Sequence, residues 1–191
     1  MTAEYRNGPL PGLVIIRPEV HADSRGSFME AWREEDFSRA VGHPVRFIQE
    51  NESVSRRWVL RGLHLQAGAS AQGKLVRCMS GRLFDVAVDL RPGSPAFLRW
   101  AGFTLDSAAP ELLWIPAGFA HGFLALEDRT TLLYKVDRPW DPSSERCVRW
   151  DDPALGVRWP IPPGVSPVMS DRDRGAPGLG ALLRELRGKG K

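Results

Sequence analysis

The sequence predicts an all-β fold, a sandwich or barrel of short strands with few helices. Three observations lead there. Sixteen prolines and 19 glycines are spread along 191 residues as punctuation, not gathered in one linker. Between them lie short runs rich in β-branched and aromatic residues. Helical patterns are scarce. In chain order the clearest strand runs are Gly12-Leu-Val-Ile-Ile16, Lys74-Leu-Val-Arg-Cys-Met79, Leu83-Phe-Asp-Val-Ala-Val-Asp-Leu90, Leu112-Leu-Trp-Ile115 and Thr130-Thr-Leu-Leu-Tyr-Lys-Val136. The run at 83–90 alternates in part, with Phe84, Val86 and Val88 on one face and Asp85 and Asp89 on the other. Its acidic face is expected to line a polar barrel mouth. Two short helices are expected. One lies over Arg33–Val41, with acids in its first turn, and one over Ala181–Leu186. The length suits one domain spanning 1–191, with a C-terminal helix from about 180 and a frayed GKGK end.

Composition narrows the function. Apolar content of 42% and charged content of 26% are those of a globular chain. No secretory signal and no run of apolar residues long enough for a membrane helix is visible, so a cytoplasmic protein with no membrane partner is expected. Cys78 and Cys147 lie far apart with no CxxC pattern, and are read as free thiols in a reducing compartment. The net charge of +3 suits either a nucleic-acid surface or an anionic small ligand. The basic residues are scattered apart from Arg184–Lys191 and recognition motifs are missing, so no nucleic-acid partner is expected.

Two of the four histidines sit in unusual surroundings, His64 in Val59-Leu-Arg-Gly-Leu-His-Leu-Gln66 and His121 in Ile115-Pro-Ala-Gly-Phe-Ala-His-Gly-Phe123. Pro116-x-Gly118-x-x-His121 resembles the second half of the metal-binding cupin pattern, but the first half reads only His64-Leu-Gln66. Two scattered histidines do not make a three-ligand site, so neither a metal nor another cofactor is expected. A histidine titrates near pH 6.5 and suits proton abstraction, the more so with a carboxylate on its other ring nitrogen. Spacing alone does not choose that carboxylate. Read singly, the other polar residues have plainer roles: Tyr134 in the core, Lys74 at a solvated strand end, Asp173 capping a turn, Arg25 and Arg61 in surface ion pairs, Trp140 over a loop.

Taken together, nine motifs fall in one order. They are Asp23-Ser-Arg-Gly-Ser-Phe-Met-Glu30, Phe47-Ile-Gln-Glu-Asn-Glu-Ser53, Leu60-Arg-Gly-Leu-His-Leu-Gln66, Gln72-Gly-Lys-Leu-Val-Arg77, Phe84-Asp-Val-Ala-Val-Asp-Leu-Arg91, Trp114-Ile-Pro-Ala-Gly-Phe-Ala-His-Gly-Phe123, Leu133-Tyr-Lys135, Trp150-Asp-Asp-Pro-Ala-Leu155 and Ser170-Asp-Arg-Asp173. In order and spacing, over roughly residues 10–180, the chain resembles the dTDP-4-dehydrorhamnose 3,5-epimerases, metal-free members of the cupin superfamily.

The resemblance implies a cupin-type jelly-roll β-sandwich or barrel. It implies that His64 is the catalytic base, Asp173 its carboxylate partner, Lys74 a cation beside the sugar ketone and Tyr134 the proton donor on the opposite face. Arg25, Glu30, Gln49, Asn51, Arg61, His121, Glu145 and Arg172 match nucleotide-sugar contacts, with Glu50 among them where aspartate is frequent. Trp140 matches an aromatic that stacks on thymine. The implied substrate is a dTDP-4-keto-6-deoxyhexose, inverted at carbons 3 and 5 on the way to dTDP-rhamnose. The implied assembly is a homodimer whose N-terminal segments, with Arg25 and Glu30, cross to the partner's site.

The chain departs from the pattern in three places. Pro139-Trp140 replaces a pair of tyrosines, Arg172 replaces a common lysine, and Glu50 replaces aspartate. These changes leave open a mono-epimerase acting on carbon 3 or carbon 5 alone. Rivals of other classes are a metal-dependent cupin oxidoreductase and a non-catalytic nucleotide-sugar binder.

Overall fold

The structure is a computed structural model that describes residues 3–188. The frayed end expected for the last residues falls on positions 189–191, outside the described residues. Two antiparallel sheets dominate. The six-stranded sheet runs β1 (Glu4–Asn7), β2 (Val14–Arg17), β10 (Leu112–Ile115), β7 (Lys74–Ser80), β12 (Thr130–Val136), β5 (Gln49–Ser55). The five-stranded sheet runs β13 (Glu145–Cys147), β6 (Leu60–Gln66), β11 (Phe119–Ala125), β8 (Arg82–Asp89), β9 (Trp100–Asp106). A separate hairpin pairs β3 (Val20–Asp23) with β4 (Gly26–Met29). The helices are α1 (Glu34–Val41), α2 (Asp171–Arg174) and α3 (Leu179–Gly188). This is the expected all-β, cupin-type jelly roll with few helices. All five strand runs singled out in the sequence fall within or across β2, β7, β8, β10 and β12.

The chain changes sheet between β7 and β8 through Gly81. Its φ of +70 suits glycine, and a Cβ there would lie 2.9 Å from Thr130 Oγ1. Between the sheets lies one apolar layer that includes Leu13, Val76, Leu83, Ala87, Leu113, Phe119, Phe123 and Leu132. Both sheets are also covered on part of their outer faces. On α1, acids fill the first turn, where they complement the helix dipole, and Gly42 closes the helix with φ +83. The helix buries Phe37 against Trp114 at 5.3 Å and 85° between rings, over Leu75 and Leu112. On the other side α3 lays Leu179 and Leu182 over Leu63, Leu65, Val86, Val88 and Ala120. Asp152 holds that helix in place by accepting from Leu179 N–H at 2.8 Å.

Burial corrects the reading of β8. Its acidic residues do not line a mouth, because both faces of the strand are buried. Asp89 is fully buried and is held by Arg91 and Ser94, and Asp85 points into the layer between the sheets.

Candidate active site

The inner faces of the two sheets diverge at one end and leave a cavity of about 520 Å³, lined among others by Arg61, His64, Lys74, His121, Tyr134, Arg172 and Asp173. A second lobe of about 330 Å³ shares His64, Lys74 and Tyr134 and adds Gln49, Asn51, Trp140 and Glu145. Either lobe lies within the range of small-molecule sites. The two meet at the groups best suited to chemistry.

One wall is the five-stranded sheet. His64 on β6 stands in register with His121 on β11, so both rings project from the same face. Two glycines make this possible. A Cβ on Gly62 would fall 2.6 Å from Gly122 Cα, and one on Gly122 2.7 Å from Arg61 carbonyl oxygen. Beside that contact the β6–β11 register shifts, between His121 and Phe123. Gly122→Ala must push the two strands apart, and the expected loss is about 2 kcal/mol, seen as a fall of roughly 5 °C in Tm by thermal unfolding.

His64 Nε2 lies 2.5 Å from Asp173 Oδ1. Asp173 belongs to α2, whose Ser170 cap accepts its backbone N–H. Burial raises the Asp173 carboxyl, but the bonds with His64 and the Gly62 N–H outweigh it and hold it below the usual carboxylate range. An ionised partner on Nε2 orients the ring and leaves Nδ1 as the nitrogen open to accept a proton.

The facing wall is the six-stranded sheet. Lys74 opens β7 and Tyr134 lies on the adjacent β12; Tyr134 pairs with Val76 and Val136 with Lys74, which sets both side chains on the inner face. The Lys74 side chain keeps some surface open to the cavity, but its ammonium is hemmed in. Desolvation lowers its pKa to about 8, against the pull of Asp85 and Glu145. Burial, with Glu145 beside it, raises the Tyr134 phenol, so it carries its proton as a donor. Lys74 is thus not a solvated strand end, and Tyr134, packed at the edge of the core, also lines the cavity.

The rim of the second lobe is a chain of hydrogen bonds. Gln49 Nε2 donates to Asn51 Oδ1 at 2.8 Å, and Trp140 N–H donates to Gln49 Oε1 at 3.1 Å. The Trp140 indole and Arg172 both donate to Glu145 Oε2, at 3.0 and 2.7 Å. Arg61 donates to Ser55 Oγ at 3.1 Å and stays exposed at the mouth.

Of the residues expected at the site, Glu50 needs correction. β5 alternates, so Gln49 and Asn51 face the cavity, whereas Glu50 turns outward and pairs with Lys135 at 2.5 Å. Arg25 and Glu30 are also outside this chain's cavity. Arg25 pairs with Asp23 on the projecting hairpin, and Glu30 pairs with Arg33. The cavity also includes residues the sequence did not single out. Val168 and Met169 belong to a segment held by the Leu60 N–H to Val168 carbonyl bond, and nothing local marked them. Behind the cavity wall, Asp85 lies 2.8 Å from His121 Nε2. Among the described residues no three His, Cys, Asp or Glu side chains are arranged to hold a metal ion. No described helix is long and apolar enough to cross a membrane.

Known proteins match this chain in sequence and in fold. Residues 7–181 match a family model described as dTDP-4-dehydrorhamnose 3,5-epimerase. A protein of that name from Pseudomonas aeruginosa is 48% identical over 165 residues, covering 86% of this chain and 90% of the relative. A Mycobacterium tuberculosis epimerase superposes with a TM-score of 0.92 at 40% identity, covering 95% of this chain and 91% of that one. A Legionella pneumophila 3,5-epimerase solved with dTDP-4-keto-L-rhamnose gives 0.91 at 38% identity, covering 97% of each. With the family model spanning residues 7–181 and these identities over most of each chain, the chain belongs to the dTDP-4-dehydrorhamnose 3,5-epimerase family.

Proposed function

We propose that this enzyme inverts carbons 3 and 5 of dTDP-4-keto-6-deoxy-D-glucose and delivers dTDP-4-keto-L-rhamnose for dTDP-rhamnose synthesis. One observation carries the reading: His64 with Asp173 stands on one wall, and Lys74 and Tyr134 stand on the wall across the cavity. His64 takes the proton from a carbon beside the ketone, and the electron pair moves onto the ketone oxygen as an enolate. The Lys74 ammonium stabilises that oxygen in a site poor in water. Tyr134 then delivers a proton to the opposite face of the same carbon as the enolate's electron pair returns to it; the phenolate is reprotonated from solvent and His64 releases its proton to solvent. Inversion needs removal on one face and return on the other, and two separate groups on opposite walls provide this. Arg61 and Arg172 hold the diphosphate, which their charge and planar donors suit. Trp140, 54% exposed at the rim, offers a face on which thymine stacks. Gln49, Asn51, His121 and Glu145 complete the contacts. Product analysis by NMR tests the reading. An L-configured 4-keto sugar supports it, inversion at one carbon points to a mono-epimerase, and unchanged substrate sets the reading aside.

Tyr134→Phe separates the two halves of the reaction. The base still acts, so solvent exchange persists, while inversion slows by about 10²-fold for want of the donor. Inversion at the wild-type rate, followed by NMR, removes Tyr134 from the mechanism.

The working unit is a homodimer. The β3–β4 hairpin projects with Phe28 61% and Val20 44% exposed. On the outer face of β5, β12 and β7, Glu52, Leu133 and Arg77 form one row in register. Arg77 Nε there is buried with no hydrogen-bond partner among the described residues, beside exposed Val54 and Met79. A two-fold pairing of this face sets Glu52 of each protomer toward Arg77 of the other and covers the apolar residues. In such a pair the hairpin carries Arg25 and Glu30 to the neighbour's cavity. Light scattering at twice the chain mass, lost in Arg77→Glu, tests this.

A further inference from the structure

The strap between β12 and β13, residues 137–144, has no strand or helix of its own and crosses from one sheet to the other. It carries Trp140 and leads into Glu145, and both line the second lobe of the cavity. Trp140 is 54% exposed and belongs to none of the three apolar clusters of the core. Packing therefore does not fix its place. Pro139 and Pro142 stiffen the strap but bring no N–H to hold it. An exposed aromatic on such a segment keeps one position only if hydrogen bonds order the backbone beneath it.

Those bonds converge on Asp141. Its Oδ1 accepts from Ser143 N–H at 2.9 Å and from Ser143 Oγ at 2.8 Å. Its Oδ2 accepts from Ser144 Oγ at 2.5 Å and from Ser70 Oγ at 3.0 Å. The first three close the turn that follows Trp140. The fourth reaches the 3-10 turn Gly68–Ser70, which lies between the strand of His64 and the strand of Lys74. Three further bonds run alongside. Gly73 N–H donates to Asp137 Oδ1 at 2.7 Å, Gln72 Nε2 to Arg138 carbonyl at 2.9 Å, and Ala67 N–H to Ser144 carbonyl at 2.9 Å. Asp141 lines neither lobe of the cavity. With Ser70, Ser144 and Arg146 it faces a separate hollow of about 530 Å³. Any effect it has on the site must pass through its neighbours on the strap.

We propose that Asp141 is a positioning residue for nucleotide binding: its carboxylate knots the strap to the Gly68–Ser70 turn and so holds Trp140 and Glu145 in place before the ligand arrives. The proposal rests on the epimerase reading above. Without the knot the strap regains its freedom, and the nucleotide must order it on binding, which weakens affinity with little effect on the catalytic walls. Asparagine keeps the knot, because its oxygen still accepts from Ser143 and its amide can donate to the serine hydroxyls.

The test reads Trp140 and the ligand separately. The Trp140 indole ¹H–¹⁵N signal is assigned by its loss in Trp140→Phe. In Asp141→Ala that signal is expected to shift and broaden, as its bond to Glu145 becomes transient. Kd for dTDP, by calorimetry, and KM are expected to rise about tenfold, with kcat changed far less. Asp141→Asn should restore all three toward wild type. Ser70→Ala, which removes only the bond between the loops, should move them in the same direction by less. It carries the test if Asp141→Ala does not fold. An indole signal and a dTDP affinity unchanged in a folded Asp141→Ala overturn the proposal, whatever happens to Tm. So does a fall in kcat as large as that in kcat/KM, an asparagine variant no better than alanine, or failure of both Asp141→Ala and Ser70→Ala to fold. The indole readout needs no ligand. A wild-type protein that binds no dTDP, or exchanges no substrate protons, would count against the epimerase reading, and the indole signal would still decide the knot.

Discussion

Replacing His64 by alanine is expected to lower kcat by about 10³-fold and to abolish solvent exchange at both carbons. The reason is positional. Among the cavity-lining groups, only His64 combines a ring nitrogen open to the cavity with an oriented carboxylate at 2.5 Å. His121 has a carboxylate of its own at 2.8 Å, yet its side chain is only 8% exposed against 27% for His64. Binding of dTDP should change little, because Arg61, Arg172, Trp140 and Glu145 do not lean on the imidazole. Stability should fall by about 1–2 kcal/mol, since Asp173 stays buried with its main partner removed. His64→Asn, which can still donate to Asp173, should recover most of that stability and none of the rate. A non-catalytic binder predicts the reverse pattern, with stability lost and no chemical step to lose. Paired kinetic and thermal measurements on the two variants separate these outcomes.

Lys74→Met is expected to cost about 10²–10³-fold in kcat, with a smaller change in KM. Methionine keeps the length and bulk of the stem and removes only the charge that the enolate oxygen needs. The pH dependence follows from the sign of the shift. Burial lowers the Lys74 pKa to about 8, so the ammonium is present below that pH and is lost above it. The wild-type kcat/KM should therefore decline as pH rises through about 8, and Lys74→Met should lack that limb. Folding is linked in the opposite sense. Between about 8 and the ordinary lysine value the unfolded chain binds the proton that the folded one has released, so Lys74 opposes folding least at high pH. Lys74→Met is accordingly expected to have a Tm no lower than wild type near neutral pH. A rate profile over pH 6–10 on both proteins checks the limb, and a retained limb in Lys74→Met assigns it to another group.

The strands that were legible in the sequence are those with unbroken runs of apolar, aromatic and β-branched residues, such as Leu112–Ile115 and much of Thr130–Val136. β11 was legible only as a motif. Its seven residues are all buried, by the core on one side and by α3 on the other, so no alternation survives, and Gly122 interrupts it for the sake of the β6 contact. The hairpin β3–β4 gave no strand signal, because its four-residue strands have no core to face within this chain. At the site, His64, Lys74, Tyr134 and Asp173 were found through motifs, and what the sequence lacked was which face each residue takes. Glu50 was misplaced for that reason: one position along a strand moves a side chain to the far face. Asp85 and Asp89 were assigned to a polar mouth for the converse reason, since alternation was visible in β8 but its burial on both faces was not. The pairing of His64 with Asp173 spans more than a hundred positions and is made by α2 docking on β6, which spacing alone does not encode.

The central claim is that protons beside the ketone leave and return through this cavity. Incubation with dTDP-4-keto-6-deoxyglucose in deuterated water, followed by NMR at carbons 3 and 5, tests it most directly. The expected result is deuterium at both carbons in an L-configured product, with none incorporated by His64→Ala. Absence of deuterium at both carbons with the wild-type protein would contradict the account.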